Sequence, residues 1–441
     1  MDIMIAGAGM VGYSLARKLS YHHNVIVVDK NVQTLNRLEE EVDIMTLLGD
    51  VEDPKTYHSI QIDKLDLFIA VTDSDEANLL STLIVEDEIS VEKKIIRLRN
   101  EYFEHSPVLR KLDIEFAVFP DRLTAKRISK LFDIPKANNV KGFRLTQYEL
   151  ISVRVQNRSE EIDHIGQLSG SKVAVVGLER EKQFLLPTRE EKVVEGDLLY
   201  FFGERNEIEK KAFLLDGRMP SIIKKVAIFG ANPLAQKIAK ELVGHGLDIK
   251  MVDKNREYCK KASEYLQGKV TVINAAYDDH RLFEEEGLKS ADMIIAAGMD
   301  DERNIVKCIE AKEYGVPKTV AINNDKVYYP LMHQLGIVVV RGSKTGAYYA
   351  ILENIASSAV VSERHFCGGR AVIFMRRIYG SSPLIGKSIA LPSMPGVHSL
   401  VLRDGVILSM ESLHQLQEGD VIVVAGETRE EEKMQAWIYT L

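Results

Sequence analysis

The hydrophobic pattern of the first 133 residues alternates between two periods. Short apolar runs such as Ile3 to Ala6 and Val25 to Val28 predict buried strands, whereas Val11, Leu15 and Leu19 recur at helical spacing. Further strands are predicted at Ile44 to Leu48, Leu65 to Val71, Ile95 to Leu98 and Phe116 to Phe119. Strands that alternate with helices predict an α/β fold with a parallel, doubly wound sheet.

Two helical patterns flank the sixth predicted strand. Tyr102 to Leu112 precedes that strand and Leu123 to Phe132 follows it. The second of these helices has no further strand of the same sheet to cross to. We therefore expect it to reach another domain or subunit.

The first strand runs into a GxGxxG turn, Gly7-Ala8-Gly9-Met10-Val11-Gly12. In a Rossmann fold the first glycine allows the tight turn, the second lets the backbone approach a pyrophosphate, and the third lets helix pack on strand. The following helix N-terminus offers free N–H groups to phosphate. Asp29 ends the second strand, where a carboxylate accepts hydrogen bonds from a ribose diol. Together these features favour nucleotide binding over a purely structural turn.

The stretch from Asn138 to Asp216 has a different character. Its strand-like runs are joined by turn signals, and the triplet Glu195-Gly196-Asp197 precedes the last of them. The runs are Leu150 to Val155, Lys172 to Val176 and Leu198 to Phe202. This pattern predicts a small α+β module.

Both units then occur a second time. Gly7 and Gly230 lie 223 positions apart, and so do Gly196 and Gly419. Because two distant landmarks share one offset, we predict a duplication in which each Rossmann-like domain is followed by a small module. The predicted domains are residues 1–137, 138–218, 219–366 and 367–441.

The glycine turn of the second half is altered. It begins Gly230-Ala231-Asn232-Pro233, so Asn232 places a side chain where Gly9 leaves the backbone open. Pro233 has no N–H to donate to phosphate. Asp253 ends the next strand as Asp29 does in the first half. We expect this second site, at Gly230, Asn232 and Asp253, to be altered or empty.

Composition limits the classes of function. Of the 441 residues, 45% are hydrophobic and 28% charged, as in soluble globular proteins, and no apolar run approaches the ~18 residues of a membrane span. The net charge of −8 argues against a nucleic-acid partner. The three separated cysteines and the absence of an export signal predict reduced thiols, no metal site and a cytoplasmic location.

The order of the motifs resembles one family. The glycine turn, Val27-Val28-Asp29, Gly49-Asp50, the segment Ala70 to Asn78 and Ile96-Arg97 precede a small module, and the whole then repeats. This order is similar to that of the TrkA family, the regulatory subunits of Trk potassium uptake systems, built of tandem RCK (regulator of potassium conductance) N and C domains. The similarity covers essentially the whole chain, and Ala70 to Asn78 is its most specific motif.

The resemblance implies a site for NAD(H), with ATP or ADP as possible occupants of the same position. The implied site residues are Gly7, Ala8, Gly9, Met10, Val11 and Gly12 at phosphate, Asp29 at ribose with Lys30 beside it, Asp50 near adenine, Thr72, Asp73 and Glu76 along the cleft edge, and Arg97 towards phosphate. The resemblance also implies a homo-oligomer, dimeric or tetrameric, that gates a TrkH- or TrkG-type potassium pore from the inner face of the cell membrane.

Two other functions fit part of this pattern. An NAD-dependent oxidoreductase needs an acid/base group over the nicotinamide, and the two repeated units leave no histidine or lysine constellation for that role. A freestanding nucleotide sensor would need no pore. We favour a regulator without enzymatic activity that responds to its ligand by changing conformation.

Overall fold

The computed structural model describes residues 1–58, 60, 62–220, 222–277, 279, 281–356, 361–387, 396–409 and 415–441. In these ranges the strands form two parallel and two antiparallel sheets. Each parallel sheet is followed in sequence by an antiparallel one, as the duplication predicts. No helix within these ranges is both long and apolar enough to cross a membrane.

The first parallel sheet contains six strands. They are β1 (Asp2–Ala6), β2 (Asn24–Asp29), β3 (Met45–Leu48), β4 (Lys64–Ala70), β5 (Ser90–Arg97) and β6 (Phe116–Val118). The connecting helices are α1 (Met10–Leu19), α2 (Val32–Glu41), α3 (Lys55–His58), α4 (Asp75–Glu88) and α5 (Pro107–Lys111), and α6 (Pro120–Asp133) follows the last strand. The strand order β3-β2-β1-β4-β5-β6 reverses between β1 and β4, the position where doubly wound sheets bind ligands.

One predicted helix of this unit is wrong in extent. Instead of one helix from Tyr102 to Leu112, the chain forms a 3₁₀ turn at Glu101–His105 and then the short helix α5. Pro107 at the first position of α5 has no N–H and forces Ser106 into an extended conformation, with ψ of 139°. The Ser106 side chain then caps α5 by accepting a hydrogen bond from the Val108 N–H.

The first antiparallel sheet has the order β10-β9-β11-β8-β7 and carries one helix. Its elements are β7 (Ala137–Gly142), β8 (Glu149–Arg154), β9 (Val173–Arg180), β10 (Gln183–Leu185), β11 (Leu198–Gly203) and α7 (Arg205–Leu215).

The second half repeats this arrangement. Its parallel sheet, of order β14-β13-β12-β15-β16-β17, consists of β12 (Lys225–Phe229), β13 (Asp248–Asp253), β14 (Thr271–Asn274), β15 (Met293–Ala296), β16 (Lys318–Asn323) and β17 (Val338–Arg341). Its helices are α8 (Pro233–Val243), α9 (Arg256–Leu266), α10 (Leu282–Glu285), α11 (Asp301–Glu313), α12 (Tyr329–Gln334) and α13 (Ser343–Ala356). The last sheet, β18-β19-β22-β20-β21, and its helix comprise β18 (Val361–Phe366), β19 (Ala371–Arg377), β20 (Val397–Arg403), β21 (Val406–Ser409), β22 (Val421–Glu427) and α14 (Glu431–Thr440).

The repeated Glu-Gly-Asp triplet has a structural reason. The Asp197 carboxylate accepts hydrogen bonds from Nε and Nη2 of Arg180, both at 2.8 Å, and Asp420 receives the same two bonds from Arg403. Both aspartates are buried, so these bidentate contacts replace their lost hydration. The triplet therefore marks the same turn and the same ion pair in the two small modules.

The two halves exchange a helix. Ala125, Ile128 and Leu131 of α6 are buried in the core of the second parallel sheet. In return, Ile351 and its neighbours on α13 are buried in the core of the first parallel sheet. The helix after the sixth strand thus reaches another domain, as expected from its position.

The compact units of the chain follow this exchange. One unit comprises residues 1–124 and 341–355, and the other comprises residues 125–340 and 356–441. The predicted borders after residues 137, 218 and 366 therefore stay predictions. The fourth sheet itself begins at Val361, ahead of the border proposed from the sequence.

Exchange of the helices predicts reciprocal effects of core truncations. Ile128→Ala should increase hydrogen exchange in residues 225–341, and Ile351→Ala should increase it in residues 2–118, because each isoleucine is fully buried against the sheet of the other half. Each truncation should cost about 2–5 kcal/mol of local stability. Hydrogen–deuterium exchange with peptide mass spectrometry measures this, and the same exchange pattern in both variants would contradict the assignment of the helices.

Candidate functional site

A cavity of about 460 Å³ lies in the first unit at the carboxyl ends of the parallel strands. Its walls come from the glycine turn, from the segments that follow β2, β3 and β4, from the end of β5, and from the start of α13. The lining residues are Gly7, Gly9, Met10, Val11, Asp29, Lys30, Gly49, Asp50, Val51, Glu52, Val71, Thr72, Asp73, Ser74, Ala77, Arg97 and Lys344. Most residues named from the sequence are thus brought together at one place.

Three residues named from the sequence do not line the cavity. Ala8 is buried behind the turn, and Gly12 faces the carbonyl oxygen of Gly7. Glu76 lies on the surface of α4, where its carboxylate accepts a hydrogen bond from the Ser74 hydroxyl at 2.9 Å.

The three glycines of the turn differ in what surrounds them. Gly7 has φ of +103°, a conformation that other residues rarely adopt. A Cβ on Gly12 would lie 1.8 Å from the carbonyl oxygen of Gly7, so this glycine allows α1 to pack against the turn. A Cβ on Gly9 would meet no protein atom within 4 Å. The conformation and packing of the turn therefore require glycine at positions 7 and 12. Gly9 instead faces open space, where a ligand can contact the protein backbone.

Asp29 shapes the turn as well as lining the cavity. One carboxylate oxygen accepts a hydrogen bond from the Ala8 N–H at 2.5 Å, and the other accepts one from the Asn31 N–H at 2.8 Å. A carboxylate oxygen can accept more than one hydrogen bond, so acceptor capacity remains for a ligand hydroxyl. Removal of this side chain would disturb the turn as well as any ligand contact.

Arg97 forms the opposite wall of the cavity. It is only 5% exposed, and its guanidinium donates to the Thr72 carbonyl at 3.3 Å and to the Asp73 carboxylate at 3.0 Å. Its Nε is buried and has no hydrogen-bond acceptor among the described residues. The guanidinium therefore places a positive charge in the wall of the cavity, where it can attract an anion.

The charge of Arg97 also acts on Asp73. Desolvation raises the pKa of Asp73. The hydrogen bond and charge of Arg97, together with the charge of Arg99, outweigh that effect and hold this pKa below its ordinary value. Asp73 is therefore an anion at neutral pH that orients Arg97 and partly balances its charge.

Asn78 holds together the segment from Ala70 to Asn78, and the sequence analysis assigned it no role. Its buried amide accepts hydrogen bonds from the N–H and the hydroxyl of Thr72 and donates to the carbonyls of Thr72 and Arg97. In the second half, Asn304 makes the equivalent bonds to Gly298 and Ile322. Both asparagines hold the loop after the fourth strand against the end of the fifth.

The corresponding cleft of the second half is filled by side chains. The Asn232 amide donates to the Ala297 carbonyl at 2.6 Å and caps α8 by accepting from Ala235. Tyr277 crosses the cleft: its hydroxyl donates to Asp253 at 3.2 Å, and its ring lies 3.5 Å from the position of a Cβ on Gly298.

Tyr277 lies at the position that Val51 takes in the first half, and the sequence analysis did not single it out. Val51 lines the open cavity, whereas the Tyr277 side chain extends across the cleft to Asp253. The expectation of an altered or empty second site stays a prediction, and this geometry supports it.

A group of three residues elsewhere contains possible metal ligands, although the sequence predicted no metal site. His365 lies between two carboxylates, with Nδ1 3.5 Å from Glu363 and Nε2 3.2 Å from Glu431. All three side chains are buried. One ligand atom from each of the three residues lies within 4.8 Å of the others, and the two carboxylates face different nitrogens of the ring.

Comparison with known proteins agrees with the duplicated fold. The TrkA-N domain family matches residues 3–120 and again residues 226–341. The chain belongs to this family. The two matches coincide with the two parallel-sheet units, so the tandem TrkA-N arrangement and the resemblance stated from the sequence are both confirmed.

Relatives of this TrkA-N protein align over nearly its whole length. A Trk system potassium uptake protein TrkA homolog of Archaeoglobus fulgidus is 26% identical and the match covers 99% of each chain. The Trk system potassium uptake protein TrkA of Halomonas elongata is 24% identical over 96% of this chain and 95% of its own.

Solved structures share the fold. The crystal structure of the GsuK RCK domain has a TM-score of 0.63 at 20% identity, covering all of this chain and 95% of that one. The GsuK channel bound to NAD has a TM-score of 0.62 at 18% identity, covering all of this chain and 79% of that one. At these identities the likeness shows the fold alone.

Lys344 lines the first TrkA-N cavity, although the sequence analysis did not name it as a site residue. It lies in the first turn of α13, which begins at Ser343 and packs on the first sheet. The sequence offered no local signal for this position, because only tertiary packing brings it to the cavity.

The surroundings of Gly9 and Gly12 predict that two alanine substitutions in one turn behave differently. Gly12→Ala should lower stability by about 1–3 kcal/mol or more, because its methyl group would overlap the Gly7 carbonyl. Gly9→Ala should change stability by less than about 0.5 kcal/mol, since Gly9 has an ordinary φ of −61° and no close neighbours. Urea unfolding followed by circular dichroism measures both, and an equal loss in the two variants would show that the turn is packed differently.

Proposed function

We propose that this protein is a nucleotide-binding regulatory subunit that changes the activity of a membrane potassium transporter or channel. The open space at Gly9, between the Asp29 carboxylate and the Arg97 guanidinium, is the observation that carries the proposal. The names of its relatives, Trk system potassium uptake proteins, support the choice of transported ion. The NAD-bound and ADP-bound GsuK structures support the class of ligand.

The proposed ligand is NAD(H), with ATP or ADP as an alternative occupant of the same cavity. Its phosphates would lie against the backbone at Gly9 and the N-terminus of α1, where N–H groups and the helix dipole favour negative charge. Asp29 would accept the ribose hydroxyls, and Asp50 and Val51 would border the adenine. Arg97 and Lys344 would supply positive charge to the far phosphate.

The proposed mechanism is a ligand-dependent shift between conformations. The groups around the cavity belong to separate segments: Asp50 follows β3, Thr72 follows β4, Arg97 ends β5, and Lys344 begins α13. Ligands of different length would draw these segments together differently, and a ligand can shift an equilibrium only through such differences in affinity. Because α13 leads directly in sequence to the last small module, movement at Lys344 has a covalent route out of the nucleotide site.

No catalytic role is proposed for the nucleotide. The walls of the cavity present Asp29, Lys30, Asp50, Glu52, Asp73, Arg97 and Lys344 as charged groups. Arg97 is tied to Thr72 and Asp73, and Asp29 is tied to backbone N–H groups. These contacts are those of residues that orient a ligand. In this proposal the protein acts as a homo-oligomer on the inner face of the cell membrane, bound to a TrkH- or TrkG-type pore.

Calorimetric titration of the full-length protein should show one NADH bound per chain, in the first cleft. NADPH should bind at least about tenfold more weakly, equivalent to about 1.4 kcal/mol, because the Asp29 carboxylate repels a 2′-phosphate. Gly9→Ala should lose NADH binding while remaining folded, since its methyl group would occupy the space proposed for the pyrophosphate.

Val51→Tyr provides the matched test of the difference between the two clefts. This substitution places in the first cleft the residue that crosses the second one, and should reduce NADH binding in the same way as Gly9→Ala. A stoichiometry of two NADH per chain, or equal affinities for NADH and NADPH, would contradict the proposed site.

Potassium flux through the reconstituted pore should depend on this protein and on the added nucleotide. Arg97→Ala should weaken the nucleotide response about ten- to a hundredfold, because hydrogen bonds to charged groups contribute about 1.5–3 kcal/mol each. Arg99→Ala is the control, since Arg99 also contacts Asp73, at 2.6 Å, but does not line the cavity.

The flux assay also separates the proposed functions. If potassium flux is the same with and without the protein, the protein is not a regulator of the pore, and the freestanding nucleotide sensor becomes the favoured function. Loss of the response in Arg99→Ala and not in Arg97→Ala would reject the role of Arg97. Turnover of NADH with a carbonyl substrate would instead support an oxidoreductase.

A further inference from the structure

A second cavity, of about 860 Å³, lies in the other unit, between the first small module and the second TrkA-N domain. One wall is formed by β8, β9 and the Glu195-Gly196-Asp197 turn, and the other by α11 and α12. The cavity is separate from the glycine turns and from the exchanged helix α13. No role in nucleotide binding follows from its position.

The buried carboxylates in this wall already have cationic partners. Asp197 is held by Arg180 and by the Val194 N–H. Glu179 contacts His333 at 3.0 Å and Arg370 at 2.7 Å. Burial raises the pKa of Glu179, but the hydrogen bond and charge of His333 and the charge of Arg370 outweigh this and lower it to about 2.

Among the described residues, two cations in the wall have no carboxylate at ion-pair distance, although the charges of Glu179 and Asp197 act favourably on Arg154. Arg154 is only 8% exposed, donates to the Gly196 carbonyl at 2.7 Å, and has a buried Nε without an acceptor in the described part of the chain. Lys312 donates to the Gly336 carbonyl at 3.3 Å. Among the described residues, neither cation has a carboxylate within 4 Å.

The positive charges also act on one another. Burial, together with the nearby charges of Arg154 and Arg218, lowers the pKa of Lys312. Arg218 is exposed at the rim of the same cavity. Like charges placed close together are unfavourable, and an anion bound in the cavity would relieve that repulsion.

We propose that this cavity binds a compact, multiply charged anion, a polyphosphate or a polycarboxylate, through Arg154 and Lys312. The volume accommodates more than a single inorganic ion, and the wall offers a planar guanidinium and an ammonium that approach from opposite elements. Such a ligand would connect the small module to the second TrkA-N domain. The duplicated chain would then respond to a second chemical signal at a site that does not use a glycine turn.

Pyrophosphate and citrate, titrated into the full-length protein by calorimetry at low salt, test the proposal. Binding should weaken at least tenfold in Arg154→Gln and in Lys312→Gln. Lys260→Gln is the matched control, because Lys260 is an exposed lysine of the same unit that does not line the cavity, so its removal should leave affinity unchanged. Arg97→Ala should also retain this binding, which distinguishes it from binding in the first cavity. If pyrophosphate binds and citrate does not, the ligand is a polyphosphate. If citrate binds and pyrophosphate does not, the ligand is a polycarboxylate.

A measurement on the unmodified protein avoids any effect of the substitutions on folding. Lys312 acetylation by acetic anhydride, followed by peptide mass spectrometry, should slow at least fivefold when pyrophosphate or citrate is present. Equal affinities in all variants, or acetylation of Lys312 that both anions leave unchanged, would overturn the proposal. It would also be overturned if Lys312 became protected with rising protein concentration and no anion, because a second copy of the chain would then cover the cavity.

Discussion

The burial of α6 and α13, each in the core of the other half, is the constraint on which the rest of the structure depends. Ile128 and Leu131 of one helix and Ile351 and Leu352 of the other are almost fully buried. Each such side chain contributes about 1.5–3 kcal/mol, so the four together are comparable with the net stability of a typical domain, about 5–15 kcal/mol. Neither parallel sheet can complete its core from its own half of the sequence. Each half therefore depends on a helix of the other for its stability.

Much of this architecture could be predicted from the sequence, because it is encoded locally. The apolar runs from Ile3 to Ala6 and from Leu65 to Val71 lie within or overlap β1 and β4, and the shared offset of Gly7 and Gly196 locates the second copy. The predicted helix boundaries were wrong where a single residue has more influence than the periodic pattern. Pro107, for example, divides the helix predicted from Tyr102 to Leu112. Periodicity records which face is buried, and it does not record where a single missing N–H ends a helix.

The chemistry of the candidate site was only partly predictable, for a different reason. Gly9, Asp29 and Arg97 belong to motifs whose members are close in sequence or fall at the ends of neighbouring strands. Lys344 is more than two hundred positions away, and only the exchange of α13 brings it to the cavity. Tyr277 was missed because one residue in a loop does not show which way its ring points. Contacts that depend on tertiary packing leave no periodic signal.

The two clefts differ in the side chains that face them, although the fold is the same in both copies. Asn78 and Asn304 both tie the loop after the fourth strand to the fifth, although Gly298 lacks the hydroxyl that Thr72 donates, and Asp29 and Asp253 hold the same turn. Further differences lie in side chains that face the cleft, where Tyr277 replaces a valine and Asn232 replaces a glycine. In the second cleft the side chains of Asn232 and Tyr277 bond to the Ala297 carbonyl and to Asp253, whereas the first cleft has Gly9 and Val51 at these positions. This difference supports the proposal that nucleotide binds in the first half, from which α13 leads in sequence to the last small module.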